Sequence, residues 1–229
     1  MTDITLPEGI IFDWDGTLVD TIPGLRIAHN HVRTRMGYPD WTEAEFYQNL
    51  KHSSLELYPR IYGPQSAEAL EILYSFIEEN HLQYLSVLPG AIELLEFLKA
   101  QAIPHAIVSN KKHKYLLREI EHLGWPERFF CSLGAGSALK DKPAADPVLM
   151  VLERALSPLH PSQTWFVGDT ETDLLAAQAA GCPAVLISHG KDHGPLIETY
   201  NPYIVVKDCG ALLSILQRAA AAKSEIKTC

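Results

Sequence analysis

Residues 9–20 read Gly9-Ile10-Ile11-Phe12-Asp13-Trp14-Asp15-Gly16-Thr17-Leu18-Val19-Asp20, an apolar run that passes straight into two aspartates, a glycine and a threonine. Ile10, Ile11 and Phe12 are consecutive β-branched or aromatic residues, the pattern of a strand buried on both faces of a parallel sheet. Asp13 then stands at the strand's carboxyl end, the edge at which open α/β sheets bind ligands. An extended segment alternates its side chains, so Asp13 and Asp15 share one side while Trp14 points away. Two carboxylates so close repel, and one pKa rises unless a cation sits beside them. The pair therefore suits a metal site, a division of roles between nucleophile and acid, or both. Gly16 permits a sharp turn with exposed N–H groups that suit an anion. Asp-Gly is also a common turn, and an acidic loop also caps a following helix. Partners at other strand ends decide between these readings.

The chain has 229 residues, 47% of them hydrophobic, enough for one large domain or a domain that carries an insertion. A formal net charge of −9 with scattered basic residues argues against nucleic-acid and anionic-membrane partners. Cys131, Cys182, Cys209 and Cys229 show no CxxC spacing, so reduced thiols in a cytoplasm are expected. The opening MTDITLPEG has no basic region followed by an apolar run, and no later segment is apolar long enough to span a bilayer. The expectation is a cytoplasmic protein, monomer or homodimer, that acts on a small molecule.

After Asp20 the period becomes helical. Leu25, Ala28, His29, Val32 and Met36 share a face that closes at Gly37, and residues 41–57 and 66–85 continue in the same style. No strand is expected between Thr21 and Val87, and Pro89-Gly90 marks a return, so residues 20–88 are expected to form an all-helical insertion. The remainder, 1–19 and 89–229, alternates strands and helices. Helices are expected at 91–100, 112–123, 144–156, 171–180 and from Ala211 onward, with strands at 105–108, 129–133, 164–167, 183–187 and 203–206. With right-handed crossovers this is an α/β, doubly wound parallel-sheet, Rossmann-like core.

Three further strand ends supply chemistry. Ser109-Asn110 follows Ala106-Ile107-Val108 and suits either an anionic oxygen or a helix N-cap. Lys142, before Pro143, could bring a compact ammonium to the edge that holds Asp13 or remain a solvated lysine, with Lys140 as the alternative. In Val167-Gly168-Asp169-Thr170-Glu171-Thr172-Asp173 the second aspartate lies one helical turn beyond the first, so both can approach one cation. Early helical acids also suit the helix dipole. Few carboxylates, water and a phosphate fit Mg²⁺ better than zinc. His189 and His193 read as loop residues without zinc spacing.

DWDGTLVD, Ser109-Asn110, Lys142-Pro143 and GDTETD followed by AAQAAGCPAVLI, in this order, resemble the haloacid dehalogenase superfamily, in its phosphoglycolate phosphatase-like branch with a helical cap. The resemblance implies that Asp13 is the nucleophile toward phosphorus and Asp15 the acid for the leaving oxygen, then the base for water. It implies that Thr17, Ser109, Asn110 and Lys142 bind the phosphoryl group. It also implies that Asp13, the Asp15 carbonyl and Asp169 hold Mg²⁺, assisted by Asp173. An acid at Asp15 favours phosphoryl transfer over halide displacement. The physical requirements agree: a nucleophile, a nearby acid and positive charge.

A phosphomutase shares this core chemistry, and a receiver-like or non-catalytic phospho-ligand-binding protein uses a similar sheet. A receiver, however, has no helical insertion after its first strand. Substrate choice would lie in the insertion, where Lys51, His52, Ser53, Ser54 and Arg60 are candidate contacts or solvated helix residues. The insertion lacks the glycine-rich loop associated with phosphoglycolate phosphatases.

Overall fold

The computed structural model describes residues 4–50 and 53–226, so Lys51, His52 and Cys229 lie outside the described residues. In chain order the elements are β1 (Gly9–Phe12), β2 (Val19–Asp20), α1 (Ile22–Arg35), α2 (Glu43–Asn49), α3 (Ser54–Tyr62), α4 (Ser66–Asn80), β3 (Ser86–Val87) and α5 (Ala91–Ala100). They continue with β4 (His105–Lys112), α6 (His113–His122), β5 (Ser132–Ala135), α7 (Asp146–Arg154), β6 (Thr164–Gly168), α8 (Glu171–Ala180), β7 (Ala184–Ile187), α9 (Gly194–Tyr200), β8 (Ile204–Val206) and α10 (Cys209–Ile226). The chain divides into two compact units, one of residues up to Asp20 and from Val87 onward, the other Thr21–Ser86.

The first unit holds a six-stranded sheet in the order β5-β4-β1-β6-β7-β8, parallel throughout. Ile10, Ile11 and Phe12 are completely buried, which is why this short apolar run can be a central strand. Chain order reverses direction around β1, with β4 on one side and β6 on the other. Phe12 pairs with Ile107 of β4 and Val167 of β6, so the residues that follow in all three strands emerge at one edge. One face of the sheet is closed by α7 and α8, whose Val148, Val151, Ala176 and Ala177 pack with Ile11, Val108 and Phe166.

The second unit is helical, with Val32, Phe46, Tyr58 and Leu73 in its core. Its interior is partly polar. Arg33 lies 4.8 Å from the Trp41 ring centroid and donates Nε to the Pro39 carbonyl at 2.6 Å. His29 Nδ1 meets the Tyr58 hydroxyl at 3.0 Å, and burial holds the imidazole down at about 4.

Several boundaries differ from those the sequence suggests. The helical stretch 41–57 is two helices, because Thr42 and Ser53 each accept a hydrogen bond from a backbone N–H three residues on and so start α2 and α3 separately. The stretch 66–85 leaves α-geometry after Asn80 for a 3₁₀ turn. β5 begins at Ser132 instead of Phe129, whose ring packs edge-on to Trp14 at 6.5 Å. α7 starts at Asp146 with Pro147 in its first turn, so the proline that fits the helix start is Pro147 instead of Pro143. β4 runs on to Lys112, its pairing with β5 shifting register between Val108 and Lys112. α9 and the two-residue strands β2 and β3, which pair with each other, are elements beyond those the sequence pattern predicts.

Among the described residues Cys131, Cys182 and Cys209 are free thiols, and no helix is long and apolar enough to cross a membrane. Since Ile11 is fully buried in the central strand, Ile11→Ala should destabilise the protein by about 2–5 kcal/mol, read from denaturant unfolding. A cost below about 1 kcal/mol would contradict this packing.

Candidate active site

The β1 ladder extends one residue past the strand, because the Asp13 N–H donates to the Val167 carbonyl at 2.8 Å. The chain then folds back on itself, with the Trp14 carbonyl accepting from the N–H groups of Thr17, Leu18 and Val19 at 3.3, 3.1 and 3.2 Å. Trp14 is fully buried against Trp125, whose ring centroid lies 5.9 Å away edge-on. Asp13 is 6% exposed, and the Asp15 side chain is 33% exposed. Gly16 has φ +80°, and a Cβ there would lie 2.4 Å from Asp169 Oδ2, so the turn requires glycine on both counts.

Lys142 is the hub of the cluster. Its Nζ donates to Asp13 Oδ1 and to Asp173 Oδ1, each at 2.6 Å. One carboxylate oxygen from each of Asp13, Asp169 and Asp173 lies within 4.8 Å of the others. Asp173 Oδ2 accepts from the Thr170 N–H at 3.0 Å and the Thr170 hydroxyl at 2.6 Å, which caps the start of α8 with the same side chain that faces Lys142. Gly168 allows α8 to approach so closely, since a Cβ there would meet Asp173 at 2.4 Å.

The other expected residues gather around this cluster with different partners. Thr17 is completely buried and donates its hydroxyl to Asp169 Oδ1 at 3.4 Å. Ser109 is buried on β4, where its Oγ accepts from the Lys111 N–H at 3.1 Å, and the residue capping α6 is Lys112, so Ser109 is not a helix N-cap. Asn110 donates Nδ2 to the Lys142 carbonyl at 2.8 Å and so tethers the lysine's loop. Lys140 is exposed.

The sequence profile of haloacid dehalogenase-like hydrolases matches residues 10–187. The chain belongs to this family. It is 31% identical over 218 residues to a phosphoglycolate phosphatase of Pseudomonas fluorescens, covering 91% of this chain and 79% of that one. A phosphoglycolate phosphatase of Vibrio vulnificus is 27% identical over 218 residues, covering 90% and 95% of the two chains. The crystal structure of a predicted phosphoglycolate phosphatase from Haemophilus somnus superposes with a TM-score of 0.78 at 26% identity, covering 94% of this chain and 99% of that one.

In this hydrolase the crowding of acids has an electrostatic cost. Burial pushes Asp13 up; Lys142 pulls it back, while Asp173 and Asp15 push it further, leaving its pKa at about 7. Burial, then the Asp13 and Asp173 carboxylates, raise Asp169 to about 8 against the pull of Lys142. Burial works against the charge on Lys142, but Asp13 and Asp173 hold its pKa above the ordinary lysine value. One ammonium is thus insufficient for three acids, and a further cation among these oxygens would relieve the excess. An all-oxygen donor set with two carboxylates held near neutral pKa fits a hard divalent cation.

Lys111 and Glu119 escaped the sequence reading, as did the contacts that Trp14 and His189 make. Lys111 donates Nζ to Asp15 Oδ1 at 2.7 Å and to both oxygens of Glu119, at 2.8 and 2.7 Å. Trp14 donates its indole N–H to Glu119 Oε2 at 2.7 Å. Glu119 had a legible signal: it falls on the buried face of α6 with Tyr115, Leu116 and Ile120, where an acid is out of place. His189 lies in a loop, as expected, but its Nε2 meets the Gly16 carbonyl at 2.5 Å and braces the turn. In the helical unit, Ser53 caps α3, Ser54 opens it and Arg60 is exposed.

The raised carboxylates set the sign of a pH effect. Groups with a folded-state pKa above the unfolded value favour the folded state at low pH, and this contribution is lost as pH rises toward about 8 for Asp169. Melting in EDTA should therefore fall in temperature from about pH 5.5 to about pH 8 on account of these groups. Stabilisation by MgCl₂ should grow over the same interval, because the cation no longer displaces protons. A stabilising increment that stays flat or shrinks with pH would contradict the arrangement.

Proposed function

We propose that this hydrolase is a Mg²⁺-dependent phosphatase that cleaves a small phosphate monoester through an aspartyl-phosphate on Asp13. The observation that carries the reading is the buried Lys142 ammonium, 2.6 Å from Asp13 Oδ1, within a cluster of carboxylates that needs more positive charge than one lysine supplies. Asp13, the Asp15 backbone carbonyl and Asp169 would hold Mg²⁺. Asp173 stands behind them, with Oδ1 committed to Lys142 and Oδ2 to Thr170, and acts through its charge and its hold on the lysine. When bound, Mg²⁺ supplies charge that screens the carboxylates and the phosphoryl oxygens.

Asp13 attacks phosphorus; the bond from phosphorus to the ester oxygen breaks, and that oxygen takes a proton from Asp15. In the second half a water gives its proton back to Asp15 and attacks the same phosphorus. The bond to Asp13 breaks and inorganic phosphate leaves. Lys142 and the Ser109 hydroxyl bind the phosphoryl group, while Asn110 fixes the Lys142 loop and Thr17 fixes Asp169. The buried surroundings strengthen each of these contacts. The relatives named phosphoglycolate phosphatase support a small phosphorylated acid as the first substrate to try.

Purified protein should release inorganic phosphate from a panel of phosphoglycolate, sugar phosphates, nucleoside monophosphates and an aryl phosphate, in Mg²⁺ and not in EDTA. Asp13→Asn should reduce release to background, and Asp15→Asn should slow it by about 10²–10⁴-fold. Release that persists in Asp13→Asn or in EDTA would overturn the proposal. Phosphoryl transfer to a second hydroxyl without free phosphate would replace it with a mutase.

A further inference from the structure

We propose that Lys111 and Glu119 are positioning residues that hold the Asp15 carboxylate where it exchanges protons with the leaving oxygen and the attacking water. This rests on the phosphatase reading of Asp15. Lys111 lies at the end of β4 and Glu119 on α6, and neither has an assigned part in the chemistry derived above.

The geometry begins with Glu119, which is completely buried. A buried carboxylate is costly unless paired and hydrogen-bonded. Here Oε2 accepts from the Trp14 indole at 2.7 Å, and both oxygens face Lys111 Nζ. An ammonium has three N–H donors, and Lys111 meets three carboxylate oxygens: two of Glu119 and Oδ1 of Asp15. Glu119 thus fixes the ammonium in a position set by the core, and the ammonium in turn fixes Asp15.

Trp14 ties this clamp to the catalytic turn itself. Its backbone joins Asp13 to Asp15, and its buried indole is hydrogen-bonded to the carboxylate that anchors Lys111. Asp15 is held from both ends, through its backbone by Trp14 and through its side chain by Lys111. Stability alone does not account for the charges, because replacing a buried ion pair with apolar side chains of similar volume is often neutral or stabilising. What the charged pair supplies and an apolar pair would not is an ammonium held in place beside Asp15 Oδ1. The Asp15 side chain is more exposed than those of Lys111 and Glu119, 33% against 16% and 1%, so the two partners that face it from β4 and α6 are anchored more firmly than Asp15 itself.

The test is the double variant K111M/E119Q, which removes both charges together and so leaves no uncompensated ion in the core. It is compared with wild type on an alkyl phosphate, whose leaving oxygen needs a proton, and on p-nitrophenyl phosphate, whose leaving oxygen does not. kcat/KM, which reports the steps up to departure of the leaving group, should fall roughly 100-fold for the alkyl ester and little for the aryl ester. Equal losses on both esters, or no loss on either, would overturn the proposal. Should the double variant fail to fold, Lys111→Arg, which keeps the charge but moves the donor, should show a smaller loss with the same selectivity. Crystal structures of wild type and variant read the Asp15 orientation without turnover. A displaced or divided carboxylate in the variant supports the proposal, and an unmoved one overturns it. A wild type that hydrolyses neither ester would sink the phosphatase reading, and the crystallographic comparison would still decide whether Lys111 and Glu119 hold Asp15.

Discussion

Three carboxylates, one oxygen of each within 4.8 Å of the others, gathered at the carboxyl edge of a sheet, are costly to charge together unless positive charge lies among them. That constraint organises the whole strand-end region. Lys142 is drawn into the interior and becomes 6% exposed because Asp13 and Asp173 repay the desolvation of its ammonium. Gly16 and Gly168 are glycines because a Cβ at either would collide with a member of the cluster. Thr17 and Thr170 are committed to Asp169 and Asp173. The turn after β1 and the first turn of α8 are thus shaped as much by the need to bring acids together as by their own backbone preferences. A protein selected only for stability would not arrange its core this way.

Around the cluster a single device is used twice. Asp13 is paired with Lys142, and Lys142 with Asp173; Asp15 is paired with Lys111, and Lys111 with Glu119. In each case a lysine bridges an aspartate of the β1 turn to a buried carboxylate on a helix, α8 or α6. The helical acid is 1% exposed for Asp173 and 0% for Glu119, so each lysine is anchored from the protein interior. The flexibility of its four-carbon stem is the usual weakness of lysine as a positioned cation, and each buried acid removes it by fixing the ammonium end. The alternation of the turn delivers Asp13 and Asp15 to their separate lysines and sends Trp14 into the core, where it touches Glu119.

Much of the α/β architecture was legible because its signals are local or periodic. Three consecutive apolar residues before Asp13 report a strand buried on both faces, and Gly181, with φ +76°, ends α8 where the sequence places its stop. The misplaced boundaries share a physical cause. Phe129 has strand-like character, but its ring is spent on Trp14 and Trp125, and regular pairing waits until Ser132. Residues 41–57 carry a helical period throughout, yet Thr42 and Ser53 offer side-chain oxygens to backbone N–H groups and divide the stretch in two. Local hydrogen bonds overrode a correct periodicity in one case, and long-range aromatic packing overrode a correct propensity in the other.

The candidate site was legible only as far as residue type at a strand end can reveal it. Asp13, Asp169, Asp173 and Lys142 converge because parallel strands of one sheet deliver their carboxyl ends to one edge, a consequence of topology that motif order carries. The partners of Asp15 depend on something else. Lys111 reaches Asp15 from a stretch of β4 where pairing with β5 shifts register, and a register shift leaves no mark in the period of the neighbouring residues. Glu119 was detectable in principle, since Tyr115 and Glu119 are four residues apart on one helical face and an acid in that row demands a cation. Naming the cation required the tertiary register. An acid in the apolar row of a helix therefore points to a hidden ion pair, because the burial cost is local information while the partner's position is not.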